Sequence, residues 1–192
     1  MRVKICGITS VEDARHAEEA GADAIGVVLL SKSPRCVSLE RARRIFRAAG
    51  PFIATVAVTH TRSQDDLTRV LALRPHAIQI SHPFTFAARP LAQILRVVRP
   101  GDPLPGDADA LVVDQSMGTG RPYDPEFARG LIRGSLLPVI LAGGLTPGNV
   151  AGAIRAIRPY AVDVASGVEV RPGVKDPAKV AAFVRAAKEA FP

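Results

Sequence analysis

The chain alternates eight short apolar runs, typical of β-strands, with amphipathic runs that are typical of helices. The strand-like runs are 2–6, 22–30, 52–58, 76–80, 93–98, 110–113, 136–142 and 161–165. The helical runs are 11–20, 38–50, 63–73, 125–132, 147–157 and 176–191. Strands that are joined through helices are parallel, and eight of them close a TIM barrel. We therefore predict one small (β/α)8 TIM-barrel domain over residues 1–192; an open doubly wound sheet is the alternative.

Capping residues predict several helix boundaries. Thr9 or Ser10 precedes the first helix and Ser38 the second, and Gly21 ends the first. The segment 99–109 is rich in proline and glycine, which leaves no room for a full helix. We therefore expect helix five to be missing or reduced to a turn. The segment 82–90 leaves room only for a short helix four.

Composition narrows the class of partner. The 192 residues suit one domain. No apolar run approaches the roughly 18 residues that span a bilayer, and no secretory signal is visible, so we expect a cytoplasmic protein without a membrane partner. The net charge of +7 is spread along the chain, and an aromatic content of 5% offers little for base stacking. We expect no nucleic acid partner; the basic surface would steer an anionic substrate.

Two glycine turns follow the seventh and eighth predicted strands. They are LAGGLTP (141–147) and VDVASGVE (162–169). Glycine lets the backbone approach an anion closely, and exposed N–H groups bind it. Phosphate sites of TIM barrels commonly lie in these two loops. The sequence therefore predicts a small phosphorylated substrate, with Gly143, Gly144, Ser166 and Gly167 as candidate phosphate ligands.

Other chemically useful residues stand where predicted strands end, which is where TIM barrels carry catalytic groups. Cys6 ends the first strand, Asp114 follows the sixth, and Arg35 lies in the loop after the second. The only other cysteine, Cys36, makes no disulfide framework or metal-ligand spacing with Cys6. We predict no metal site.

These residues lie within motifs that resemble the phosphoribosylanthranilate isomerases of tryptophan biosynthesis. The matching segments cover nearly the whole chain: KICGIT (4–9), GADAIGVV (21–28), SPR (33–35), VVDQSMGTG (112–120), LAGGLTPGNV (141–150), VDVASGVE (162–169) and GVKDPAKV (173–180). The resemblance implies an Amadori rearrangement of N-(5'-phosphoribosyl)anthranilate, with no redox step and neither metal nor cofactor.

The resemblance also implies roles for individual residues. Asp114 would be the general acid and Cys6 the general base. A thiol has an ordinary pKa of about 8.5, so the surroundings of Cys6 should favour the thiolate. Arg35 would hold the anthranilate carboxylate through its planar fork, and Asp163 would contact a substrate hydroxyl. The GTG turn at 118–120 would shape a loop over the site.

The chain departs from the family pattern near the barrel mouth. Ser81 stands where the family has histidine, with His82 one place later; VTHT (58–61) replaces an apolar pair followed by asparagine, and Met117 replaces a glycine. Two other functions therefore stay open. One is a catalytically silent, phosphate-binding paralogue; the other is a barrel isomerase acting on another aminated phosphoribosyl metabolite. Monomer and homodimer also stay open.

Overall fold

The computed structural model describes residues 1–114 and 122–191, and its eight main strands form a closed parallel barrel. They are β1 (Arg2–Cys6), β2 (Ala24–Leu29), β3 (Ala54–Thr59), β4 (Ala77–Ile80), β5 (Gln93–Val98), β6 (Ala110–Val113), β7 (Val139–Leu141) and β8 (Ala161–Val164). Each strand pairs with its sequence neighbour, and pairing of β1 with both β8 and β2 closes the ring. The predicted TIM barrel is confirmed, and the open sheet is excluded.

Six helices cover the outside of the barrel. They are α1 (Val11–Glu19), α2 (Leu39–Ala48), α3 (Gln64–Leu71), α4 (Pro125–Gly134), α5 (Val150–Ile157) and α6 (Pro177–Lys188). The N-cap of α1 is Ser10 rather than Thr9, because the Ser10 hydroxyl accepts the N–H of Asp13. No helix within the described ranges is both long and apolar enough to cross a membrane.

The side of the barrel between β4 and β6 has no helices. Residues 99–109 form turns and irregular chain, as predicted. Residues 81–92 form no helix either, so the expected short helix four is absent from this fully described segment. Pro83 and Pro90 lack backbone N–H groups and disfavour helix in the residue before them. We call residues 81–109, apart from β5, the helix-poor side.

Some boundaries and short elements differ from the sequence expectation. The seventh strand spans Val139–Leu141 instead of 136–142, because Pro138 cannot donate to a sheet. The third runs to Thr59. A two-residue strand, Cys36–Val37, lies beside β2, and Glu169–Arg171 pairs with Val174–Lys175 as a hairpin after β8. Nothing in the alternation of long apolar runs indicated these short pairings.

Alternation along each strand divides the core into two layers. Val3 and Ile5 of β1 belong to the large apolar layer between the barrel and its helices. Cys6 belongs to a smaller cluster that fills the barrel interior, together with Val56, Val112 and other small residues. Interior-facing side chains at the carboxyl ends of the strands, such as Cys6, therefore point towards the end of the barrel that carries the functional site.

Candidate active site

One cavity at the carboxyl ends of the strands brings together seven of the eight predicted site residues. Its volume is about 60 Å³, and it adjoins a second cavity of about 600 Å³, so that the two together fall in the usual range for small-ligand sites. The predicted residues in its wall are Cys6, Arg35, Asp114, Gly143, Gly144, Asp163 and Ser166. Residues from β1, β6, β7 and β8, which lie far apart in the chain, therefore meet at one site.

The eighth residue, Gly167, lies where the two glycine turns touch. A side chain there would overlap the carbonyl oxygen of Leu145 and come within 3.0 Å of its carbonyl carbon. Glycine at this position lets the backbone of the second turn pack directly on the backbone of the first. Gly167 is not among the residues lining the cavity, so its placement is structural; a contact from its N–H to phosphate stays a prediction.

Backbone N–H groups of the two glycine turns lack acceptors among the described residues. Gly143 and Gly144 both have positive φ angles, +99° and +66°, which only glycine adopts readily. Among the described residues, no atom accepts a hydrogen bond from the N–H of Gly143, Gly144 or Ser166. Groups of this kind are what an anion binds.

The Asn149 side chain stabilises the first glycine turn, a role that was not predicted from the sequence. Its Oδ1 accepts the N–H of Thr146 at 2.8 Å, and its Nδ2 donates to the carbonyl of Gly144 at 2.9 Å. The side chain therefore ties both ends of the turn to the start of α5. Asparagine in the LTPGN segment was the available signal, since Asx residues commonly bond to nearby backbone.

Cys6 lies buried at the end of β1 beside a charged group in the barrel interior. Lys4, two residues earlier, donates to Gln79 Oε1 at 2.8 Å and to Asp163 Oδ2 at 2.7 Å. Burial raises the pKa of the Cys6 thiol, while Lys4 and Lys175 lower it in part. The expectation that its surroundings favour the thiolate is therefore wrong. Loss of hydration raises the pKa by more than the two cations lower it.

Asp163 offers one free oxygen to the cavity. Lys4 holds Oδ2, whereas Oδ1 is buried and has no hydrogen-bond partner among the described residues. Burial raises the pKa of this carboxyl, and the ammonium of Lys4 opposes that rise. A buried acceptor without a partner is costly. The position therefore suits a donor supplied by a ligand, such as a hydroxyl.

Arg35 is held by a second buried charge cluster. Its Nε donates to Glu169 Oε1 at 2.8 Å and its Nη2 to Oε2 at 2.7 Å, and Lys175 Nζ donates to Oε1 at 3.0 Å. Burial disfavours the Glu169 carboxylate, but Arg35 and Lys175 outweigh it, so its pKa is lowered. Glu169 therefore occupies one edge, Nε and Nη2, of the planar guanidinium that was predicted to bind a substrate carboxylate. Nη1 has no partner among the described residues.

The family departures at the barrel mouth have different outcomes. His60 lines the cavity; its Nδ1 is buried without a partner in the described part of the chain, and burial lowers its pKa. Ser81 and His82 do not line it. The Ser81 hydroxyl is buried, whereas His82 lies at the surface and accepts a 3.1 Å hydrogen bond from Arg62 Nε.

A second cavity continues the first. The two share Ser33, Arg35, His60 and Ser166, and the second adds Pro34, Val170 and Pro172 as apolar walls beside Arg171. The combined site suits an elongated ligand whose two ends differ in chemistry. Within the described ranges, no three His, Cys, Asp or Glu side chains are placed to hold a metal ion. The GTG turn at 118–120 lies outside the described residues.

Fold and site together define a (β/α)8 barrel with a polar cavity at the carboxyl ends of its strands, the usual place for the active site of a TIM-barrel enzyme. A family model described as N-(5'phosphoribosyl)anthranilate (PRA) isomerase matches residues 105–186. The chain is 61% identical over 191 residues to an N-(5'-phosphoribosyl)anthranilate isomerase of Methanoregula boonei, covering 99% of this chain and 98% of the relative. The chain therefore belongs to the phosphoribosylanthranilate isomerase family.

Solved structures agree with this assignment. A phosphoribosyl anthranilate isomerase from Thermus thermophilus superposes with a TM-score of 0.87 at 35% identity, covering 100% of both chains. Another isomerase of this name was crystallised with reduced 1-(o-carboxyphenylamino)-1-deoxyribulose 5-phosphate; its TM-score is 0.80 at 32% identity, over 98% of this chain and 99% of that one.

Proposed function

We propose that the chain converts N-(5'-phosphoribosyl)anthranilate to 1-(2-carboxyphenylamino)-1-deoxyribulose 5-phosphate, with Asp114 as general acid and Cys6 as general base. Membership of the isomerase family supports the reaction. The observation that carries the residue assignment is one cavity receiving both Cys6 from β1 and Asp114 from β6. The reaction belongs to the tryptophan biosynthetic pathway.

Proton transfers make up the chemistry, and two of them are assigned to side chains. Asp114 protonates the furanose ring oxygen, and the ring C1–O bond breaks to give an open-chain Schiff base. Cys6, as thiolate, then removes the proton from C2, and the electron pair moves to give an enolamine. Tautomerisation of the enolamine yields the ketone. No electrons leave the substrate, so acid–base catalysis is sufficient.

Cys6 acts as a base through its minor, ionised form. Because burial raises its pKa, only a small fraction is thiolate at neutral pH. A base of high pKa is strong once formed, which compensates in part for its low population. We therefore expect turnover to rise with pH as the thiolate forms.

The glycine turns and Asp163 position the substrate. The N–H groups of Gly143, Gly144 and Ser166 bind the phosphate, with the Ser166 hydroxyl as a further donor. Asp163 Oδ1 accepts a hydrogen bond from a sugar hydroxyl. These contacts use the unpaired donors at one end of the cavity and its buried, partnerless acceptor.

Arg35 binds the anthranilate carboxylate in a way that differs from the sequence expectation. Glu169 occupies Nε and Nη2, so the substrate carboxylate meets Nη1 at the junction of the two cavities. The aromatic ring then lies in the second cavity, between Pro34 and Pro172. Glu169 fixes the direction of the guanidinium, and the N–H groups of Nη1 with the second N–H of Nη2 stay available to the ligand.

Fluorescence tests the function directly. Purified protein mixed with phosphoribosylanthranilate should abolish substrate fluorescence, and Cys6→Ser or Asp114→Asn should slow this by orders of magnitude while a product analogue still binds. Cys36→Ser is the matched control, because this half-buried cysteine lies outside the cavity. Unaltered turnover in Cys6→Ser or Asp114→Asn would remove that residue from its role.

The same assay separates the alternatives. A silent paralogue would bind the product analogue and leave the fluorescence unchanged. An isomerase for another aminated phosphoribosyl compound would turn over that compound instead; an aspartate at the end of the first strand is usual there, and Cys6 argues against it.

We further propose a cytoplasmic enzyme without nucleic acid or membrane partners. Sedimentation distinguishes monomer from homodimer.

A further inference from the structure

Lys4 is a buried cation that does not line the cavity. It lies in β1, two residues before Cys6, so that both side chains face the barrel interior. Its side chain is 5% exposed. An ammonium ion without hydration is very unfavourable unless acceptors surround it. The partners of its three protons therefore decide why the chain keeps a charge here.

Two of these protons have oxygen acceptors, and the Cys6 sulfur lies nearby. Gln79 Oε1 and Asp163 Oδ2 accept at 2.8 and 2.7 Å. The charge of Lys4 lowers the pKa of the Cys6 thiol. A side chain at Gly26, which pairs with Cys6 across β1 and β2, would lie 2.9 Å from Cys6 Sγ and 3.0 Å from Lys4 Cε. Glycine at 26 thus leaves room for the end of the Lys4 side chain and the Cys6 sulfur side by side.

The two acceptors of Lys4 and the neighbouring Cys6 line the cavity from below. Cys6, Gln79 and Asp163 each contribute to its wall, from β1, β4 and β8. By taking Oδ2 of Asp163, Lys4 leaves Oδ1 as the oxygen without a partner in the described residues. One buried cation therefore orients two groups to which the proposed function gives a role.

We propose that Lys4 is a positioning residue: its ammonium fixes the Cys6 sulfur and the Asp163 carboxylate beneath the substrate and stabilises the Cys6 thiolate. This inference rests on the proposed function, in which Cys6 is the base. Lys4 does not line the cavity, so it acts on the substrate through these two side chains.

Charged groups from four segments face Cys6. Lys4 of β1 and Lys175 of the hairpin lower the pKa of the thiol, and Asp163 of β8 raises it. Arg35 lies close enough for the Cys6 thiolate to raise the pKa of its guanidinium. Lys4 has the largest effect of these neighbours, although burial exceeds it. Loss of the Lys4 charge should therefore raise the pKa of Cys6 further, even if Asp163 then takes up a proton.

Alkylation of Cys6 tests this without relying on turnover. In a Cys36→Ser background, Cys6 is the one thiol in the chain, and its reaction rate with iodoacetamide reports the thiolate at each pH. In Lys4→Met the midpoint should move to higher pH; each unit of pKa lowers the reactive fraction about tenfold below the midpoint. The alkaline rise of kcat should move by the same amount.

Two further variants keep the test decisive. Lys4→Gln retains an amide donor for Asp163 and removes only the charge, so it replaces Lys4→Met if the latter does not fold. Lys4→Arg retains the charge and should keep the midpoint near that of the parent. Arg96→Met is the matched control: Arg96 is a buried cation of β5 that pairs with Asp107, away from Cys6.

An unchanged or lower midpoint in folded Lys4→Gln would overturn the inference. A midpoint raised equally by Arg96→Met would also overturn it, because general loss of buried charge would then explain the shift. Failure of the proposed function gives a different result: Cys6→Ser would retain turnover, whatever the alkylation profile of the Lys4 variants.

Discussion

The two sides of the barrel differ in how deeply their ion pairs are buried. Around β8, β1 and the hairpin, three ion pairs are buried: Lys4–Asp163, Arg35–Glu169 and Lys175–Glu169, whose side chains are all at most 9% exposed. On the helix-poor side, Asp109 pairs with Arg89 and is 27% exposed. Asp107 pairs with the buried Arg96 of the adjoining β5 and is 36% exposed. We call the first group the site-side pairs.

This difference indicates what each side contributes. A buried ion pair is rarely more stable than apolar packing of the same volume, and removing one partner is costly. The site-side pairs bury both charges of each pair, and they orient groups in the cavity wall such as Arg35 and Asp163. On the helix-poor side, each pair keeps its carboxylate in contact with water, so the geometry of the pair is less constrained.

Glu169→Gln is expected to have the largest effect on stability. It leaves the charges of Arg35 and Lys175 buried without their carboxylate, which should cost about 3–5 kcal/mol of unfolding free energy. Urea denaturation measures it. The matched control, Asp109→Asn, breaks a pair whose cation, Arg89, is 58% exposed, and it should cost under about 1 kcal/mol. Equal losses in the two variants would contradict the comparison.

Gly167→Ala is expected to have the next largest effect, on activity. Its new methyl group would overlap the Leu145 carbonyl and separate the two glycine turns. Displacement of binding groups by about 1 Å can lower kcat/KM about 100-fold. Steady-state kinetics measure it, and KM should account for much of the loss because the phosphate contacts are affected.

Gly106→Ala is the control for that substitution. A methyl group at Gly106, on the helix-poor side, would meet no atom within 4 Å. Its kinetics should match those of the parent. If Gly167→Ala also left kcat/KM unchanged, contact between the turns would not be what positions the phosphate donors.

Sequence alone predicted the strands, most helices and the residues that meet in the cavity. Alternating patterns and capping residues are local, so α1 and α2 were accessible to this reasoning. The charge clusters were not, because Arg35 and Glu169 lie 134 residues apart and only closure of the barrel joins them. The occupied Nε and Nη2 edge of Arg35 and the raised pKa of Cys6 arise from that burial, which no local pattern encodes.

The effect of Glu169 should depend on pH in a defined direction. Its pKa is lowered by folding from an ordinary value of 4.5, so its stabilising contribution is complete above about 4.5 and is lost as pH falls through the lower, folded pKa. The stability gap between the parent and Glu169→Gln should therefore narrow below pH 4.5. Urea denaturation from pH 7 to pH 3 measures this; a gap that widens on acidification would contradict the assignment.

The smallest effects are expected for two exposed pairs, one on each side. Nη2 of Arg89 lies 2.6 Å from Oδ1 of Asp109 on the helix-poor side. Nζ of Lys188, in α6, lies 2.6 Å from Oδ2 of Asp23, which is next to β1. Each aspartate also accepts a strand N–H, from Ile94 and Val3 respectively, so removing the cation leaves it anchored. Arg89→Ala and Lys188→Ala should each change the unfolding free energy by about 1 kcal/mol or less. A Lys188→Ala loss as large as that of Glu169→Gln would mean that position in the barrel, and not burial, decides the strength of its ion pairs.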